Sequence, residues 1–115
     1  MDMGESHFGT VVAENGFKVG TAASSTTAIS GVYEGSETYD AGSIADGDEE
    51  VGELTITGAA LGDYCLVSLS IDIADLAADA HVTAADTVTY QLLNNTGGAI
   101  DLASATVKVL VISTS

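Results

Sequence analysis

Hydrophobic and polar residues alternate with a period of two along much of the second half of the chain. In ELTITG, Leu54 and Ile56 fall on one side while Glu53, Thr55 and Thr57 fall on the other, the spacing of a strand with one buried face. YCLVSLSI repeats the pattern: Cys65, Val67, Leu69 and Ile71 share a face expected to point inward, and Tyr64, Leu66, Ser68 and Ser70 share the opposite one. Val88, Tyr90 and Leu92 alternate with Thr87, Thr89 and Gln91; residues 94–98 then read as a tight turn, and residues 106–112 as the return strand of a hairpin. That return strand, TVKVLVI, is apolar on both faces except at Lys108, which predicts that both of its sides are covered. Gly58 and Gly62 supply a turn between the first two strands, and residues 73–80, IADLAADA, predict a turn or two of helix with Asp72 as its N-cap.

The texture changes near residue 40. Before it, short apolar pairs such as Val11 with Val12 and Phe17 with Val19 are separated by a Ser/Thr/Ala tract that builds no core alone. Residues 1–40 therefore read as an N-terminal arm with one or two short strands, and residues 41–115 as the domain proper. Several short strands with turn signals about every ten residues indicate an all-β fold, a compact antiparallel β-sandwich or jelly-roll-like barrel carrying that extended arm. No fixed-period internal repeat is visible. The composition agrees: 46% hydrophobic but 5% aromatic, with 13 glycines and no proline or tryptophan, suits packed strands joined by glycine turns. A chain of 115 residues has room for one domain with one modest core.

Charge narrows the function classes. Lys18 and Lys108 face 17 acidic residues, a formal net charge of −15, so phosphate backbones and anionic membranes are repelled and neither nucleic acid nor membrane is an expected partner. The opening MDMGESHF has neither the basic nor the apolar region of a secretory signal, and no run approaches the roughly 18 apolar residues of a membrane span. The expectation is synthesis in a cytoplasm, which the single Cys65 also fits.

No constellation of residues points to catalysis. Asp46, Asp48, Glu49 and Glu50 crowd one loop around Gly47; calcium sites use such carboxylates, but the run lacks the ligand alternation of an EF-hand loop and reads as a solvated acidic turn. His7 and His81 are far apart in sequence and neither has metal-ligand spacing to Cys65. No nucleophile elbow surrounds any serine. Cys65 sits among Val67 and Leu69 and reads as a small buried hydrophobe. Asn94-Asn95-Thr96 matches a glycosylation sequon, which a chain made without a secretory signal would not have modified. No catalytic residue, metal ligand or cofactor is expected, and the chain is not expected to be an enzyme. The aromatics of the arm, Phe8, Phe17, Tyr33 and Tyr39, with Val19 beside them, are expected to act as anchors for a partner.

The segments AGSIADGDEEVGELTITGAALGDYCLVSLS and VTAADTVTYQLLNNTGGAIDLASATVKVLVI resemble a small β-domain of tailed-bacteriophage structural proteins, including head decoration (cement) proteins and fibre-like head appendages. The resemblance covers roughly residues 41–113 and is carried by residues 58–63, by Ala84-Ala85-Asp86-Thr87-Val88, and by Asn95-Thr96-Gly97 leading into Asp101-Leu102-Ala103-Ser104. It implies a place on a virion surface, the major capsid protein as partner, and no catalytic residue. On that basis Phe8, Phe17, Val19, Tyr33 and Tyr39 become candidate contacts to a capsid or to another subunit. The apolar strands predict a closed homo-oligomer, a trimer. A fibre or tail module that binds a host receptor or glycan is the alternative, although such a binder usually displays Trp or Tyr on exposed loops, and this chain has no Trp.

Overall fold

A computed structural model describes residues 27–114. Among the described residues eight strands follow in order: β1 (Gly31–Tyr39), β2 (Gly42–Ile44), β3 (Glu49–Thr55), β4 (Tyr64–Leu69), β5 (Ala77–Ala84), β6 (Thr87–Leu93), β7 (Ile100–Leu102) and β8 (Ala105–Ser113). Among the described residues there is no helix. One sheet has the order β1-β8-β4, a second has the order β3-β6-β5, and β2 pairs with β7 between them. All pairs are antiparallel.

The pairing is nested, with β1 on β8, β2 on β7 and β3 on β6. The chain is thus a double ribbon folded back on itself, and the three-residue β2–β7 step carries it from the first sheet to the second. β4 then joins the first sheet and β5 the second, giving the expected antiparallel sandwich of jelly-roll-like type. β8 and β6 take the centre of their sheets because they carry the densest inward-facing apolar sets. Val107, Val109 and Val111 of β8 are fully buried, as are Val88, Tyr90 and Leu92 of β6 to within 2%. Burying such side chains contributes about 1.5–3 kcal/mol each.

The main core lies between the sheets and joins Leu54, Ile56, Ala80, Val82, Val88 and Tyr90 to the three β8 valines. A second cluster, around Ile44, Leu76, Leu92 and Leu102, fills the end where the ribbon turns. The alternations read from ELTITG and YCLVSLSI hold: Leu54 and Ile56 are buried and Cys65, Val67 and Leu69 face the core, with Tyr64, Leu66 and Ser68 outside.

Four expectations change. Residues 31–39, assigned to the arm, form β1 and pair with β8 along their whole length, so the sandwich includes them; Ser30 extends the ladder by donating its N–H to Ser113 O at 2.8 Å. The helix over residues 73–80 is absent. Ala74 and Asp75 have φ of 53° and 70°, which a right-handed helix excludes, Asp72 Oδ1 accepts the Ala74 N–H at 3.0 Å in a tight turn, and β5 follows. β6 and β8 do not form a hairpin, because β7 intervenes and pairs with β2; β6 instead forms its hairpin with β5 through Ala85 and Asp86, with Asp86 at φ 60°. Among the described residues no layer lies over the outer side of β8, and Lys108 is exposed there.

Candidate functional site

The outer face of the first sheet has a polarity gradient set by strand register. At one end Val32, Ile112 and Tyr64 lie side by side across β1, β8 and β4. The next row on that face is Glu34, Leu110 and Leu66, and the one after it Ser36, Lys108 and Ser68. Thr38 and Thr106 close the face, with Ser70 joined to Thr106 by two hydrogen bonds: the Ser70 N–H donates to Thr106 O at 3.0 Å and the Thr106 N–H to Ser70 Oγ at 2.9 Å. Val32, Tyr64 and Leu66 are 55%, 64% and 62% exposed, while Leu110 and Ile112 are half-buried by their neighbours. Five apolar side chains thus form one contiguous patch, and hydroxyls around a lysine continue it. A contiguous apolar patch marks an interaction site where a single exposed apolar residue such as Leu61 does not.

The outer face of the second sheet is more acidic, with Val51, 51% exposed, as its strongly exposed large apolar side chain. Its rows are Glu49-Leu93-Ala77, Val51-Gln91-Asp79, Glu53-Thr89-His81 and Thr55-Thr87-Ala84. Three carboxylates stand on that face against one, Glu34, on the first. Thr83 Oγ1 and Thr89 Oγ1 share a hydrogen bond at 2.9 Å there.

Many of the remaining carboxylates serve turns. Asp40, Asp46, Asp48, Asp63, Asp72 and Asp86 each accept a backbone N–H, from Gly42, Gly97, Glu49, Ala60, Ala74 and Gly58 respectively, the local role for which aspartate favours turns. In the loop over residues 46–50, Asp46 Oδ1 holds Gly97 N–H at 3.0 Å, and the Gly47 N–H donates to Asn94 O at 2.6 Å. Two of its carboxylates therefore bind the loop's own frame and the facing turn. Among the described residues no group of three or more His, Cys, Asp or Glu is placed to hold a metal ion.

Asn94 is the centre of that frame. Its side chain has no exposure; Nδ2 donates to Ile44 O at 2.7 Å and Gly98 O at 2.8 Å, and Oδ1 accepts from Thr96 N–H and Thr96 Oγ1. One amide thus ties β2 to the turn leading into β7. The sequence marked this stretch only as a turn.

Of the residues expected to anchor a partner, Phe8, Phe17 and Val19 lie outside the described residues. Tyr33 and Tyr39 occupy inward positions of β1 and pack against the core, so they support the sandwich instead of facing a partner. Tyr39 meets Tyr90 edge to face, with ring centroids 5.1 Å apart, and the Tyr90 hydroxyl donates to Glu37 Oε2. Burial first, then the hydrogen bond and the charge of Glu37, raise the Tyr90 phenol well above its ordinary value; burial, then Glu50 and Glu37, raise Tyr39. Cys65 is half-buried, and burial followed by the Asp63 carboxylate pushes its thiol up. A raised pKa makes a poor nucleophile at neutral pH. His81 stands exposed on the second outer face. No family model, curated protein or solved structure matches the chain.

Proposed function

We propose that the chain is a decoration (cement) protein, a non-catalytic attachment module that binds the outside of an assembled viral head and bridges neighbouring copies of the major capsid protein. The observation that carries this reading is the inequality of the two outer faces. The first sheet presents Val32, Tyr64, Leu66, Leu110 and Ile112 together, with one carboxylate, on a chain of net charge −15. The second presents Glu49, Glu53 and Asp79. A module of this kind adheres by the first face and turns the second to water, where its charge keeps particles mutually repelled.

The mechanism is adhesive. Tyr64 is an exposed aromatic anchor of the type that dominates docking energies, and Leu66 extends the apolar surface beside it on β4. A patch of five side chains gives each copy modest affinity, but a copy that touches two shell subunits must break both contacts to let them part, and many copies add their effect over the lattice. The rigid double sheet fixes the spacing of those contacts. The resemblance of residues 41–113 to β-domains of tailed-phage structural proteins supplies the kind of assembly.

The test is cosedimentation with heads of the encoding virus prepared without this protein. Saturable binding of the wild-type chain, lost in Leu66→Glu, is the expected result, together with a higher temperature of head disruption. Failure of the folded wild-type protein to pellet at tens of micromolar, or its binding to host-cell envelopes in place of heads, would sink the reading.

A further inference from the structure

The polar half of the docking face is built for an anion. Lys108 stands on the central strand of the sheet, flanked in register by Ser36 and Ser68. Beside it lies a shallow cleft of about 340 Å³, lined by Ser68, Leu69, Ser70, Thr106 and Lys108. Ser70 Oγ already accepts the Thr106 N–H, which leaves the Ser70 hydroxyl proton to be given outward. The lining therefore offers an ammonium and three hydroxyls, all able to donate. None of it is acidic, in a chain with 17 acidic residues and 2 basic ones. Glu34, the carboxylate on the same face, is paired in register with Leu110, one row away.

Resting on the attachment reading above, we propose that this cleft receives an acidic side chain of the shell protein: Lys108, with Ser68, Ser70 and Thr106, binds its carboxylate while Val32, Tyr64 and Leu66 seat an apolar patch of the same partner. A carboxylate accepting from an ammonium and from hydroxyls makes charge-assisted bonds, roughly twice as strong as neutral ones. A polyanion does not fit, because one lysine on a strongly acidic chain leaves the rest of the phosphates repelled. A single carboxylate next to an apolar surface matches both halves of the face. The two halves divide the work: apolar contact supplies affinity, and the lysine fixes the register in which the module sits and rejects misplaced dockings.

The experiment compares wild type, Lys108→Arg, Lys108→Met, Lys108→Glu and Leu66→Glu for binding to the same protein-free heads, with thermal melts confirming that each variant is folded. Lys108 and Leu66 are exposed, so their replacement leaves the core intact. The expected order is wild type close to Lys108→Arg, Lys108→Met weaker by about tenfold, Lys108→Glu weaker still, and Leu66→Glu unbound. The gap between wild type and Lys108→Met should close towards about 1 M salt, where the screening length falls to about 3 Å. Wild-type binding with Lys108→Met within twofold of it overturns the carboxylate site and leaves the attachment reading standing. No wild-type binding at all overturns both. Displacement of the wild type by millimolar glucuronate, but not by acetate, would assign the cleft to an acidic sugar and overturn the protein partner. Self-association of the wild type in sedimentation, abolished by Leu66→Glu in the absence of head binding, would assign the face to a second copy of the chain and overturn it equally.

Discussion

Replacing Asn94 by alanine tests whether a single buried amide holds the ribbon where it passes between the sheets. The change removes four hydrogen bonds: two donated, to Ile44 O and Gly98 O, and two accepted, from Thr96. They do not count equally. Gly98 O keeps the Thr96 Oγ1 donor at 3.0 Å, and the Thr96 N–H lies on an exposed residue where water replaces the amide. The Ile44 carbonyl belongs to a residue 1% exposed and loses a partner that water cannot easily supply, a cost of about 1–3 kcal/mol. Adding about 1 kcal/mol for the turn geometry that Oδ1 enforces gives about 3 kcal/mol in total. For a chain of this length that is a fall in melting temperature of about 12 °C, at about 4 °C per kcal/mol.

Asn94→Asp sharpens the test because it keeps the shape and the acceptor for Thr96 while exchanging the donor for an oxygen aimed at two carbonyls. The ionised form is disfavoured in the folded state, so the introduced carboxyl has a raised folded pKa. Its contribution to stability is then present below the unfolded value of about 4 and is lost as pH climbs through the folded one. The melting-temperature gap between this variant and the wild type should therefore widen from about pH 4 to about pH 7. Circular dichroism melts and urea titrations of the three proteins measure all of this. An alanine variant destabilised by less than about 1 kcal/mol, or an aspartate variant whose gap does not change with pH, would refute the idea that the amide is the clasp.

Gly58→Ala should destabilise by about 1–3 kcal/mol, since Gly58 has φ of 101° and an added Cβ would lie 2.8 Å from Tyr33 Cε1; urea titration reads it, and a neutral effect would mean the turn relaxes. Because burial and Glu37 raise Tyr90, the stability its neutral phenol contributes is full below the unfolded value of about 10 and is lost as pH rises above it, so melting temperature should drop in alkali, and drop less in Tyr90→Phe. The same variant should cost about 1 kcal/mol at pH 7 through the lost bond to Glu37. Sodium chloride should raise the melting temperature of the wild type at neutral pH by screening a net charge of −15, and a flat response would show that the six turn-capping aspartates outweigh the repulsion.

How much of the fold could be read from the sequence depended on how far each signal was local. Period-two alternation placed Leu54, Ile56, Val67, Leu69, Val88 and Tyr90 on the correct face, because facing inward is decided by immediate neighbours in a strand. Pairing is not local. Residues 87–93 and 106–112 look like the two arms of a hairpin, yet each is the centre of a different sheet, and the choice turns on the three residues of β7 and on a clasp made by Asn94 to Ile44, 50 positions away. The apparent helix failed for a related reason: alanine-rich IADLAADA has helical propensity, but Ala80 and Val82 on one side with Asp79 and His81 on the other already alternate as a strand, and core packing decided against propensity.

The candidate site was legible in one half and hidden in the other. That the last strand is apolar on both faces pointed to apolar side chains on its outer side, and Leu110 and Ile112 do lie in the outer apolar patch. What could not be seen was which side chains stand beside them, because Val32 and Tyr64 meet across Ile112 only after strands from both ends of the chain have been brought together by register. The same blindness misassigned Tyr33 and Tyr39. In isolation an aromatic in a Gly/Ser-rich stretch looks free to bind a partner, but once β1 lies against β8 its odd positions are committed to the interior and its even ones to the outside. The side chain turned outward is then Val32, not Tyr33, and a one-residue slip of β1 would exchange them. Burial of an aromatic core face favours the register seen, so the residues that stabilise the sandwich also determine which neighbours are left on the surface.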